Sequence, residues 1–168
     1  YILEHAVGTG RIYECLEKKK NIWAADISKI NIQNLKKKYP SHSSNFFVSP
    51  LENIKIKKKF DTILSFRVMN RILIMDDVFL QIKKLLKENG LWLFNFDPKR
   101  IKEVDSLSQK YGFSIEECFM YDFWAFNVEF NIVERIIFKI LEKINLLNKY
   151  TFPIFEMLYC FILKRGRN

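Results

Sequence analysis

The chain has 168 residues, 49% of them hydrophobic, and a formal net charge of +9. That length suits one domain with a sizeable core and is short for two. The three cysteines, Cys15, Cys118 and Cys160, stand far apart with no metal-ligand spacing, so they read as free, buried thiols of a cytoplasmic protein. The positive balance admits nucleic acid, anionic lipid or acidic metabolites as partners. The lysines, however, fall in small clusters at helix ends and turns (Lys18–Lys20, Lys36–Lys38, Lys57–Lys59), which is how solvated surface carries charge.

In chain order, residues 1 to 5 read as a buried strand and 10 to 20 as a helix ending in a lysine run. IWAAD (22–26) is a second strand. Ser28 is placed to cap a helix through about Lys38, stopped by Pro40. NFFV (45–48) is a short third strand, and FDTILSF (60–66) a fourth, apolar enough to be buried on both faces. Asp76 and Asp77 suit the positive start of a helix running to about Lys87. Asn89-Gly90 predicts a turn before a fifth strand, LWLFNF (91–96). Pro98 opens a helix to about Tyr111-Gly112, and FSIEECFMY (113–121) is a sixth strand. Apolar residues from Ile132 to Leu147 keep the spacing of one helix face through Lys149, and MLYCFILK (157–164) is a last strand.

Strands alternating with helices at this pitch predict a parallel sheet covered on both faces. Ligands of such sheets bind beyond the carboxyl ends of the strands, where strand order reverses. The loop after the first strand is therefore where function is sought, and it carries Gly8 and Gly10. The dinucleotide fingerprint G-x-G-x-x-G fails here, because its third position falls on Tyr13.

The frame that fits is acid-x-small-x-Gly-x-Gly: Glu4, Ala6, Gly8, Gly10. LEHAVGTGR resembles, in register, the first motif of the class I S-adenosylmethionine-dependent methyltransferases. AADIS resembles the segment of that family whose acid, here Asp26, holds the ribose hydroxyls, with Ile27 beside it. A carboxylate suits that task because it accepts from two neighbouring hydroxyls. FDTILSFRVMNRI, LLKENGLWLF and YGF at 111–113 resemble the family's later segments in the right order. The resemblance covers residues 1 to about 115. It implies an α/β Rossmann-like three-layer sandwich with a mostly parallel seven-stranded sheet and an antiparallel last strand. Residues 1–115 would form the cofactor-binding core, and 116–168 a carboxyl-terminal part with a substrate-side insertion. It implies S-adenosylmethionine as cofactor, held by Glu4, His5, Ala6, Gly8, Gly10, Asp26, Ile27, Leu51, Glu52 and Ser65, with no metal.

The pattern departs from the family in three places. Ala6 replaces a glycine. The acid expected near the adenine after the third strand falls on Ser49 or Pro50, leaving the base to backbone around Leu51 and Glu52. Tyr1 already lies inside the first strand, so the helices that precede this strand in the family have no counterpart in the sequence. That last departure motivates an alternative: a truncated or non-catalytic domain.

For the methyl acceptor the sequence favours a small molecule. No D/N-P-P-Y/F motif follows the fourth strand, against methylation of exocyclic base amines. No cysteine follows it either, against a thiolate mechanism. Arg67 and Arg71, at the end of that strand, suit a carboxylate or phosphate on the acceptor or pairing with Asp76 and Asp77. Trp124, in the aromatic stretch YDFWAFNVEF, suits an apolar acceptor pocket or the core. His5 neighbours the methionine end of the expected cofactor; His42 sits in a serine-rich loop with no partner visible. No catalytic base stands out. An RNA acceptor is a further reading, resting on the +9 charge. No transmembrane segment is expected, since the apolar stretch near Phe152–Leu163 holds Glu156 and is too short. The basic amphipathic helix 132–149 would permit peripheral membrane contact.

Overall fold

The computed structural model describes residues 1–16, 21–96, 100–122 and 157–166. Their order is β1 (Ile2–His5), α1 (Arg11–Leu16), β2 (Ile22–Asp26), α2 (Lys29–Lys38), β3 (Phe46–Val48), β4 (Phe60–Ser65), α3 (Met75–Leu85), β5 (Leu86–Phe96), α4 (Ile101–Tyr111), β6 (Phe113–Asp122) and β7 (Met157–Arg165). Short 3-10 turns at Pro40–Asn45, Leu51–Asn53 and Met69–Arg71 fill the links. The lysine run 18–20, Pro98, Trp124 with most of its aromatic stretch, and the helix expected over 132–149 lie outside the described residues.

The seven strands form one sheet in the order β3-β2-β1-β4-β5-β7-β6. Parallel pairing joins β3, β2, β1, β4 and β5. β7 runs antiparallel to both β5 and β6. The chain winds outward from β1 to β3, then returns to lay β4 on the other side of β1. The reversal of strand order therefore falls at the carboxyl ends of β1 and β4, below Ala6 and Phe66.

Two apolar clusters sandwich the sheet. On one face Val78, Phe79, Ile82 and Leu85 of α3 and Val104 of α4 pack over Leu3, Ile63, Trp92 and Phe94. On the other face Tyr13 of α1 and Ile32 and Leu35 of α2 pack over Ile22, Ala24 and Phe46. Tyr13 stands where a dinucleotide fold needs glycine. Its ring is fully buried, with centroids 5.0 Å from both Tyr39 and Phe46. An aromatic ring thus fills the space between helix and sheet that a third glycine would have closed.

β5 differs from expectation. Asn89-Gly90 does not separate helix from strand; it forms an irregularity inside one strand, between the register pairs Phe60↔Leu86 and Thr62↔Leu91. Asn89 takes the left-handed conformation at φ 59°, which its short polar side chain tolerates. A Cβ on Gly90 would lie 3.0 Å from the Lys87 carbonyl oxygen and 3.2 Å from that of Asp61, so any side chain there would press the backbone of both strands apart. Cys15 also corrects its expectation: it is exposed, on the outer face of α1. Among the described residues no helix is long and apolar enough to cross a membrane.

Candidate functional site

β1 ends on Glu4 and His5, and the chain then turns sharply into α1. Three residues of this turn have positive φ: Ala6 at 58°, Gly8 at 54° and Gly10 at 82°. Glycine suits Gly10 by conformation, and a Cβ there would fall 2.7 Å from Leu35 Cδ1, so the leucine would have to move. At Gly8 the nearest atom to a built Cβ is the Ala6 carbonyl oxygen at 3.9 Å. Backbone at Gly8 is open to close approach by a ligand.

Asp26, the last residue of β2, ties this turn to its neighbours. The Gly8 N–H donates to Asp26 Oδ2 and the Ser28 N–H to Oδ1, each at 2.8 Å. Asn31 Nδ2 adds a longer bond to Oδ1 at 3.4 Å. The Asp26 carbonyl accepts from the Ser49 N–H at 3.0 Å, which brings in the loop after β3. One residue thus fixes the relative positions of three loops at the carboxyl edge. With its two oxygens offering about four lone-pair sites, the carboxylate retains acceptor capacity on Oδ2.

Glu4 and His5 point to opposite faces of the sheet, and both are nearly sealed, at 3% and 2% exposure. Glu4 Oε2 has no hydrogen-bond partner. Burial pushes its carboxyl up to about 8, so it is largely protonated at neutral pH. Neither His5 ring nitrogen has a partner in bonding geometry. Burial pushes the imidazole down to about 4, and the Asp26 carboxylate and Ser49 backbone offset only part of that. His5 is therefore neutral, and its nitrogens are shut away from the surface in this conformation.

The other expected residues divide. Ile27 is 72% exposed at the tip of β2, with Val48 half-exposed at the tip of β3, giving the edge apolar side chains beside Asp26. The Leu51 side chain is buried in the core under α3, so only its backbone faces outward use, while Glu52 is exposed. Ser65 faces inward. Its hydroxyl is fully buried and accepts from Trp92 Nε1 at 3.2 Å. Arg67 and Arg71 are exposed after β4. Of the two acids expected near them, Asp76 bonds Lys110 and Tyr111, each at 2.6 Å. Trp124 lies outside the described residues.

Three features of the site escape sequence reading. Arg67 adopts φ 62°, and its N–H donates to the buried Asn95 Oδ1 at 2.6 Å, fixing the turn after β4 from the end of β5. Tyr13 hydroxyl meets His42 Nδ1, linking α1 to the turn before β3. Ser49 spends its hydroxyl on the carbonyls of Pro50 and Asn53. Among the described residues no cluster of His, Cys, Asp or Glu could hold a metal ion.

A sheet in this order, with a glycine turn after β1 tied to an acid at the end of β2, defines the Rossmann-like methyltransferase class. Residues 3–94, more than half of the chain, match the model of the methyltransferase domain, and the chain belongs to that family. Solved structures agree on the fold. A TehB-like SAM-dependent methyltransferase from Corynebacterium glutamicum is 18% identical with a TM-score of 0.66, covering 99% of this chain and 79% of that one. The N-methyltransferase NodS from Bradyrhizobium japonicum is 12% identical with a TM-score of 0.67, covering 99% and 85%. A S-adenosylmethionine-dependent methyltransferase from Clostridium acetobutylicum is 20% identical with a TM-score of 0.59, covering 99% and 84%. No curated protein matches the chain.

Proposed function

We propose that this protein binds S-adenosylmethionine at the carboxyl edge of β1 and β2 and methylates a small molecule. The observation that carries the reading is the Asp26 carboxylate, which holds the Gly8 and Ser28 N–H groups at 2.8 Å and keeps an acceptor position in reserve. The residues fit the cofactor in three further respects. Gly8 leaves its backbone open, Ile27 offers an exposed apolar surface beside Asp26, and the buried Glu4 Oε2 lacks a partner.

S-adenosylmethionine, when bound, supplies a methyl group on a positively charged sulfur. Asp26 would accept from ribose hydroxyls with the capacity left on Oδ2. Ile27 would cover one face of the base. Glu4, held neutral by burial, would ionise beside a cationic group and so gain a partner for its free oxygen. Transfer of a methyl group asks chiefly for in-line placement of the acceptor. Arg67 and Arg71 would supply that placement for an anionic acceptor, and the exposed Leu73 and Ile74, just beyond, would meet its apolar part. His5 is not poised as a base, since its nitrogens face no open space.

The test is calorimetric titration of the protein with S-adenosylmethionine and S-adenosylhomocysteine, beside Asp26→Ala. Loss of a hydrogen bond to a charged group weakens binding by about 1.5–3 kcal/mol, roughly 10- to 150-fold, in a variant whose circular dichroism matches wild type. Absence of binding by folded wild-type protein would sink the reading.

A further inference from the structure

The glycine turn occupies the carboxyl edge of the sheet. The opposite edge, where β1, β4 and β5 begin and β7 ends, carries a different chemistry. Lys57, Lys58 and Lys59 immediately precede β4, Lys84 lies in the last turn of α3, Lys87 in the first turn of chain into β5, and Arg165 closes β7. Contacts fix these as one group. Lys59 Nζ donates to the Lys84 carbonyl, and Arg165 Nη1 to the Leu86 carbonyl. Lys58 Nζ rests 3.7 Å over the Tyr1 ring, with Lys87 Nζ 5.4 Å from the same ring. Lys87 bonds Asp61 at 2.8 Å, and this acid is the one anion drawn into the group by a described contact. Lys57, Lys59 and Lys84 are exposed, and no acid is described against any of them.

We propose that this amino-terminal edge binds the phosphodiester backbone of single-stranded nucleic acid, at a surface separate from the methyl-transfer site. Cations contributed by successive elements along a sheet edge form a track, and a track suits a polymer carrying one charge per nucleotide. Lys58 Nζ lies over the Tyr1 ring and 5.2 Å from the Trp23 ring centroid, so aromatic rings stand beside the track for a base to stack on. Lysines rather than arginines dominate the track, so contact is with phosphate as a point charge and carries little sequence preference. An anionic membrane fits less well. Interfacial binders carry apolar side chains among their cations, whereas among the described residues the five most exposed large apolar side chains, Leu73, Ile27, Ile30, Ile74 and Val48, stand on the other edge or its loops. A strand held at the lysine edge has the length of the β-strands between it and Gly8. The surface therefore retains the protein on nucleic acid without offering a base for methylation, a role different from an RNA acceptor.

The test is fluorescence anisotropy with labelled oligouridylate and oligothymidylate of about 20 nucleotides, between ~50 and ~200 mM salt. Contact with about four phosphates gives a log–log salt slope of about −3 and a loss of roughly 60-fold in affinity over that range. Lys57→Glu combined with Lys59→Glu and Lys84→Glu should weaken binding at least tenfold and flatten the slope by about 2. The corresponding three glutamine substitutions, gentler on folding, should give a smaller change in the same direction. Both oligomers binding alike supports backbone recognition; a preference for the uridylate assigns the surface to RNA. Cofactor affinity of the triple variant should match wild type, so a protein that fails to bind cofactor at all leaves this outcome readable. Unchanged oligonucleotide binding in the triple variant, competition by S-adenosylhomocysteine, or tighter lysine-dependent binding to phosphatidylserine vesicles would each overturn the assignment.

Discussion

Ala6 holds φ at 58°, a conformation in which a Cβ crowds the following carbonyl at a cost of roughly 1–2 kcal/mol. Glycine avoids that cost but raises the entropy of the unfolded chain. The net expectation for Ala6→Gly is a gain of about 1 kcal/mol, read as a higher urea midpoint with an unchanged m-value. Two residues back, Glu4 couples stability to pH. Its carboxyl titrates near 8 when folded against an ordinary 4.5. Between those values the folded state binds more protons than the unfolded one, so stability falls as pH rises through that window, by up to ~1.4 kcal/mol per pH unit. Below pH 4.5 there is no penalty, and above about 8 it is fully present. Glu4→Gln should flatten the urea midpoint from pH 5 to 8; a profile as steep as wild type would refute the assignment. The acid-x-small-x-Gly-x-Gly frame places both residues at the turn. It does not reveal that Glu4 is sealed from water, because burial depends on what α1 and α2 lay over it.

Ser28 accepts the Asn31 N–H at 3.3 Å at the head of α2 while its own N–H donates to Asp26. Ser28→Ala should cost about 1 kcal/mol by loss of the cap. It should disturb cofactor affinity little, since the N–H on Asp26 remains. A large loss of affinity with small loss of stability would give the hydroxyl a direct ligand role. Much of this architecture is legible beforehand: Ser28 as cap, Pro40 as stop, and the buried runs of β2 and β4 all stand where pattern puts them. The misses share a cause. Asn89-Gly90 is a turn dipeptide in isolation, and only pairing with β4 absorbs it into a strand. Cys15 carries a side chain typical of cores, but α1 turns Tyr13 inward instead. Periodicity over six residues is too short to choose between faces.

Taken whole, the fold hangs on an aromatic cluster across the sheet. Phe79 of α3 packs edge-on to Trp92 at 4.9 Å and to Phe113 at 5.9 Å between centroids, joining α3, β5 and β6. Phe79→Ala should destabilise by about 3–5 kcal/mol, since a rigid sheet face cannot collapse into the space. Thermal unfolding would check this, and a loss under 1 kcal/mol would mean that the cluster is not cooperative. The molecule also separates its chemistry by edge. Neutral Glu4, neutral His5 and the bonded Asp26 lie at the carboxyl ends, while ammonium groups gather at the amino ends. Net charge alone predicts neither arrangement. Which lysines gather follows from strand direction and from β7 running against its neighbours.

That reversal of β7 has a practical side. It brings Arg165 to the edge where β1 begins, away from Gly8. A surface linker or fluorophore attached beside Arg165 leaves the glycine turn clear and crowds the lysines instead. Immobilisation at that position would spare cofactor binding while suppressing attachment to a polyanion, and an acidic label there would act as an internal competitor for it.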